Sequence, residues 1–304
     1  MKGIKGFADE INLDRIRFKN RLDFPDKSYI GTWMMQVVDV GKNGGMFSTI
    51  SEAIREIQGL VSSSRQFVLR IGGEIFEEQI TLPGWIHIFS VGISIIVCPP
   101  SQTAITIKGD TRIQGVSILP LTGAAPAITC TGNLSAFGLS ASRGITLSGD
   151  CAVRLAYSEV GKISHSGAGD FSLRAPNSKI SGGISKSGTG LADIRLVSSE
   201  VNGQLLSSEA EYQLALYNSQ ILDPDGRPLL FLDPVIADSY VRMQSCILSS
   251  DTAVDSISRN GTAGTVEVWT LQNGLSSGYG PNVNEHIPAG NNVISAEIAN
   301  FRLS

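Results

Sequence analysis

Charged side chains are scarce in this chain. Asp, Glu, Lys and Arg together make up 17% of it, against about a quarter in an average globular protein. The formal net charge is only −4, and no run of Lys and Arg with interleaved aromatics occurs, so the electrostatic footprint of a nucleic-acid binder is missing. Long apolar runs are missing too, and no segment reaches the length needed to span a bilayer. The opening MKGIKGFADEINLDRIRFKN has neither an apolar h-region nor a small-residue cleavage site, so synthesis in a cytoplasm without a Sec signal is expected. Cys98, Cys130, Cys151 and Cys246 are far apart and form no CxxC pair. They therefore suggest neither a zinc site nor a redox motif, and read as buried thiols.

What is present is a hydrophobic fraction of 42%, enough for a substantial core, together with 33 glycines and frequent serine. That combination favours many short strands joined by tight turns over long helices. A degenerate unit recurs: Ser158-Glu159-Val160, Ser178-Lys179-Ile180, Ser199-Glu200-Val201 and Ser219-Gln220-Ile221, with the serines advancing by 20, 21 and 20 residues. Ser245-Cys246-Ile247 is a weaker copy after the turn Asp223-Pro224-Asp225-Gly226. A second mark keeps the same period in Ile145-Thr146-Leu147-Ser148-Gly149, Ile163-Ser164-His165-Ser166-Gly167 and Ile184-Ser185-Lys186-Ser187-Gly188. Upstream, Ile86-His87-Ile88, Ile105-Thr106-Ile107 and Ile128-Thr129-Cys130 alternate as strands with one buried face do.

One unit of three short strands cannot bury its inward side chains alone, but stacked units put Ile on Ile and Val on Val in a continuous column. The leucine-rich signature is absent, and a propeller blade needs a longer unit. The expected fold is all-β, a single-stranded right-handed parallel β-helix of about twenty residues per coil over 67–250. A strand and an amphipathic capping helix precede it at 37–66, where Ile50, Ala53, Ile54 and Ile57 share one face. A small C-terminal β tip is expected over 251–304, from Val266–Leu271, an Asn273-Gly274 turn and Val293–Ile298. Residues 1–36, with charges and aromatics mixed, read as an extended arm.

The run VVDVGKNGGMFSTISEAIREIQ, then FVLRIGGEIFEEQITLP, then GISIIV resembles the opening of pectin-methylesterase-like and pectate-lyase-like β-helix proteins. Gly45, Phe47, Thr49, Ile50, Glu52, Ala53 and Ile54, then Gly73, Phe76, Glu78 and Ile80, then Gly92, Ile95 and Ile96 hold the matching positions. The resemblance covers the cap and first coils and implies the fold; the same opening stands on enzymes and on phage adhesins.

Catalytic chemistry finds little support in the residues. The Asp-Phe and Gly-Arg-Pro-Trp segments of the resembling esterases are absent, Gly226-Arg227-Pro228 being a turn without the aromatic. Glycosidase chemistry needs two carboxyl groups facing one sugar. Glu74, Glu77 and Glu78 in the first coil and Asp223, Asp225 and Asp233 in a later turn are the candidates, but the adjacent Glu77 and Glu78 point to opposite faces if extended, and Asp223 and Asp225 are ordinary turn residues. His87, His165 and His286 are isolated and read as solvated or hydrogen-bonded loop histidines. No catalytic residue, cofactor or metal is expected, and enzyme activity is the lesser alternative.

Leading arm, helical cap, compact Ser/Gly-rich β-helix and tip are similar in arrangement to virion fibres of bacteriophages. The resemblance implies a tail fibre or tailspike-like adhesin located in the virion, homotrimeric, in contact with other virion proteins and a host surface polysaccharide. Capsid decoration (a head fibre or cement protein) and a polysaccharide-degrading lyase or hydrolase are the alternatives. Phe18, Phe24, Tyr29 and Trp33 are candidate assembly anchors, and Trp269 and Tyr279 candidate tip residues.

Overall fold

The computed structural model describes residues 35–120, 123, 125–208, 210–223, 230–232, 239–250, 257–259, 266–271, 274–275 and 283–286. The chain divides into two units, Met1–Met34 and Met35–Ser304. The first, which holds Phe18, Phe24, Tyr29 and Trp33, lies outside the described residues, as does Tyr279.

From Met35 onward the strands stack coil upon coil in three parallel ladders. Ladder I carries the longer strands, among them Cys151–Ala156, Phe171–Pro176, Leu191–Val197 and Glu211–Tyr217. Ladder II follows in each coil with short ones, Glu159–Val160, Lys179–Ile180, Glu200–Asn202 and Gln220–Asp223. Ladder III closes the coil with Ile145–Ser148, Ile163–Ser166, Ile184–Ser187 and Leu205–Ser208. Cα partners along ladder I run Cys151, Phe171, Ala192 and Tyr212, the 20- to 21-residue advance of the sequence repeat. Ladder III alone has nine strands among the described residues.

Each ladder contributes one apolar column to the interior. Ile105, Ile128, Ile145, Ile163, Ile184 and Leu205 stack in register on ladder III. Val153, Leu173, Ile194, Leu214 and Val241 do so on ladder I, and Val160, Ile180, Val201 and Ile221 on ladder II. All are buried. Burying each such side chain contributes roughly 1.5–3 kcal/mol, and every coil supplies the surface that the next one covers.

The helix α1, Ile50–Ile57, lies in the chain between Met35–Val40 and Gln66–Ile71, the first two strands of ladder I. It buries Ile50, Ala53, Ile54 and Ile57 against those strands and Ile80–Leu82, occupying in the first coil the place that later coils give to ladders II and III. Thr49 is its N-cap, with Oγ1 accepting the Glu52 N–H at 3.1 Å.

Two expected boundaries move. The strand Met35–Val40 is itself a rung of ladder I, so the limit drawn at residue 36 falls inside it. At the other end Ile257–Arg259, Val266–Leu271, Gly274–Leu275 and Val283–His286 pair in parallel with the preceding coils, so the ladders run on past residue 250 and Gly274 belongs to a strand. The repeat fades in the sequence there because the coils lengthen, Leu214, Val241 and Val268 being successive partners. Val293–Ile298 lies outside the described residues.

Candidate functional site

Ser158, Ser178, Ser199 and Ser219 are buried at the corner from ladder I to ladder II, and in the weaker copy it is Cys246 that takes this place, Ser245 standing one position earlier and exposed. Ser158 N–H donates to Ser178 Oγ (3.2 Å), Ser178 N–H to Ser199 Oγ (3.1 Å) and Ser199 N–H to Ser219 Oγ (3.1 Å). Each hydroxyl donates in turn to the carbonyl two residues back, Ala156, Pro176, Val197 and Tyr217. The preceding residues Tyr157, Asn177, Ser198, Asn218 and Ser245 all take left-handed backbone, φ 47° to 53°, which turns the chain and leaves their side chains exposed. Asn and Ser tolerate this conformation, whereas Tyr157 is there at a steric cost. Beside this corner runs an open groove of about 650 Å³, whose lining includes Tyr157, Asn177, Lys179, Glu200 and Asn218. At the opposite corner, from ladder II to ladder III, the first of these coils requires glycine: a Cβ on Gly144 (φ +81°) would sit 2.0 Å from the Lys162 carbonyl oxygen.

Two of the carboxylates that the sequence offered for glycoside chemistry hold the cap instead, while Glu77 is exposed on its strand. Glu78 accepts from the N–H groups of Ile50 and Ser51, both at 2.8 Å, and so caps α1 from the neighbouring coil. Glu74 accepts from Lys42 N–H at 2.8 Å and fixes the turn before the helix. Asp223 is buried, while Asp225 and Asp233 lie outside the described residues. Asp150 and Asp170 accept the N–H groups of Asp170 and Leu191, each at 2.9 Å, tying successive coils at the corner from ladder III to ladder I.

Two histidines sit on buried strand positions rather than in solvated loops. His87 lies between Gln66, whose Oε1 is 2.9 Å from Nε2, and the Arg112 N–H, which donates to Nδ1 at 3.0 Å. Burial first, then the Arg112 charge, lowers its pKa from 6.5 to about 4, so the ring is neutral with its proton on Nε2. His165 is stacked on Phe171 and donates from Nε2 to Gly149 O (2.8 Å), and burial lowers its pKa too. One coil further on, Lys186 projects inward and donates to the carbonyls of Gly167 and Thr189, both at 2.7 Å. Its pKa is lowered by burial. All four cysteines are free and buried, with the Cys151 thiol pushed up to about 12, chiefly by burial. Among the described residues no group of three or more His, Cys, Asp or Glu is placed to hold a metal, and no helix is long and apolar enough to cross a membrane.

Coil register assembles what no run of sequence contains. On the outer face of ladder I the partners run Arg112, Ser135, Arg154, Arg174, Arg195, Ala215, Arg242 and Trp269. Each of the five arginines alternates with buried neighbours and points outward; Arg174 is half-buried and the others are exposed. Trp269 is 50% exposed. With rungs 4.7–4.9 Å apart, the column from Arg112 to Arg242 is about 30 Å long. Asp193, in the adjacent outward column, forms an ion pair with Arg174 and lies 3.9 Å from Arg195. Arg112, Arg154 and Arg242 make no ion pair among the described residues. The absence of a basic cluster expected from the linear sequence is thereby corrected: the cluster is one-dimensional along the solenoid and dispersed along the chain. Its trace was present, since Arg154, Arg174 and Arg195 stand four residues before Ser158, Ser178 and Ser199.

No family model matches the chain, and no curated protein matches it. Among solved structures it is similar to the pectin methylesterase of Aspergillus niger in deglycosylated form, at 12% identity over 85% of this chain and 91% of that one, with a TM-score of 0.36. The penultimately deglycosylated form of that enzyme gives 14% identity, 86% and 90% coverage and a TM-score of 0.33. Similarity of that degree carries nothing about activity.

Proposed function

We propose that the chain is a non-catalytic fibre protein of a bacteriophage virion, a tail fibre or tailspike-like adhesin attached through residues 1–36. The observation that carries a binding role is the one-per-coil column on ladder I: a straight file of outward side chains along the solenoid, suited to a linear partner. Two of the first-coil carboxylates support the same reading, because Glu74 and Glu78 are occupied in holding the cap. A stack of coils braced by serine and aspartate hydrogen bonds is stiff along its length, as a fibre must be, while its outward positions remain open to change.

Electron microscopy of particles from a culture expressing the chain, with gold-labelled antibody against it, tests the reading. Label on tails is the expected result. Label on heads would move the protein to capsid decoration, and particles without label would overturn the virion assignment. Release of reducing or unsaturated sugar ends from host polysaccharide by the purified chain would overturn the non-catalytic part.

A further inference from the structure

Like charges placed directly opposite one another on neighbouring strands destabilise a sheet. The arginine column does this twice in succession, Arg154 against Arg174 and Arg174 against Arg195, with Asp193 as the one carboxylate paired to it among the described residues. A feature that costs stability where any polar residue would serve points to a partner that supplies the missing negative charge.

We infer that the ladder I column, Arg112, Arg154, Arg174, Arg195 and Arg242 with Trp269 on the following rung, binds a linear acidic polysaccharide lying parallel to the solenoid axis. The inference rests on the adhesin reading and names its ligand class. The guanidinium fork matches a carboxylate or phosphate oxygen pair, and an extended hexose chain advances per sugar by close to one rung. Acidic groups on each sugar therefore meet successive rungs, and those on alternate sugars every second rung, without the chain having to bend. Trp269, in register with Arg242, offers an aromatic face on which a pyranose ring can lie.

Other linear polyanions and polymers fit less well. A peptide strand advances about 3.3 Å per residue and would fall out of step with the rungs, and the inter-coil backbone groups are already paired, leaving no edge for it to join. The phosphates of a nucleic-acid duplex follow a helical path that a straight file of arginines meets only briefly, and single strands are held by repeated aromatic platforms, of which this column has one.

Calorimetric titration of the full chain with polygalacturonate, poly(glycerol phosphate) teichoic acid, uncharged dextran and single-stranded polythymidylate tests the inference. Binding to polygalacturonate or teichoic acid is expected, weakening with added salt, and the stronger of the two identifies the acidic group as carboxylate or phosphate. The double variant Arg154→Gln, Arg242→Gln should lose about tenfold or more in affinity while unfolding at a temperature no lower than the unaltered chain, since it removes the Arg154–Arg174 opposition, and Arg55→Gln on α1 binds as the unaltered chain does. Full affinity in the double variant would overturn the column as the site but leave a polysaccharide adhesin standing. Equal binding of dextran or stronger binding of polythymidylate would overturn the ligand class, and no binding to any polymer would overturn the inference; the fibre assignment is decided separately by the gold label.

Discussion

His87 shows how a single side chain writes its environment into the stability of the whole. Its neutral ring accepts from the Arg112 N–H and meets Gln66, and its pKa falls from 6.5 to about 4 through burial, then Arg112, with Asp110 opposing. The unfolded chain thus takes up a proton that the folded chain refuses, so stability is full above pH 6.5, is lost as pH falls from there towards 4, and levels below. The loss is roughly 3 kcal/mol, with His165 acting in the same direction. Urea unfolding at neutral pH and near pH 4 should show the lower midpoint in acid, and the step should shrink in His87→Gln; equal steps in both chains would contradict the assignment. The serines were legible as a period, and the structure gives the cause: each hydroxyl accepts an N–H of the preceding coil. The histidines were not legible for two reasons: at Ile86-His87-Ile88 the alternation does not show what covers the outward residue, and at His165 a polar side chain occupies an inward position, in register with Leu147.

At the scale of elements, α1 depends on a carboxylate from another coil. Eight residues are too few for a helix to hold itself in water, and its first free N–H groups at Ile50 and Ser51 are taken by Glu78. Glu78→Ala should cost about 1–2 kcal/mol, seen as a lower midpoint of thermal unfolding, with Glu78→Gln recovering part through its remaining acceptor. A midpoint unmoved in Glu78→Ala would show the cap to be idle. The helix and, in the central coils, the strands of ladders II and III were readable from periodicity, because identical coils repeat identical demands on each position, whereas the ladder I strands between them, such as Cys151–Ala156 and Phe171–Pro176, carry no shared mark in the sequence. The last coils were not: their longer turns break the count, so Val266–Leu271 read as a separate tip although it is the next rung of ladder I. The arginine column escaped for a related reason, since its members are neighbours only through register and Ser135 and Ala215 interrupt them.

Among the described residues, the unit that begins at Met35 is a stack of coils that no strand pairing closes. A barrel ends its sheet by pairing the last strand with the first, whereas each coil here leaves an open rung and an apolar column for whatever comes next. At the N-terminal end that next element is α1, whose Ile54 and Ile57 are buried over the strands that carry Val38 and Leu69. Unseating the helix would leave the first coil as a ready template for a second copy, through its backbone edge and its exposed core together. Ile54→Asp with Ile57→Asp puts two charges into that apolar seat, so the helix should lift while the coils behind it, each held by its own neighbours, keep their strands. The expected outcome is a β-sheet circular dichroism signal close to that of the unaltered chain, together with a mass from light scattering that rises with protein concentration. A mass that matches the unaltered chain at every concentration, with the signal retained, would mean that the helix is not what keeps the solenoid from growing.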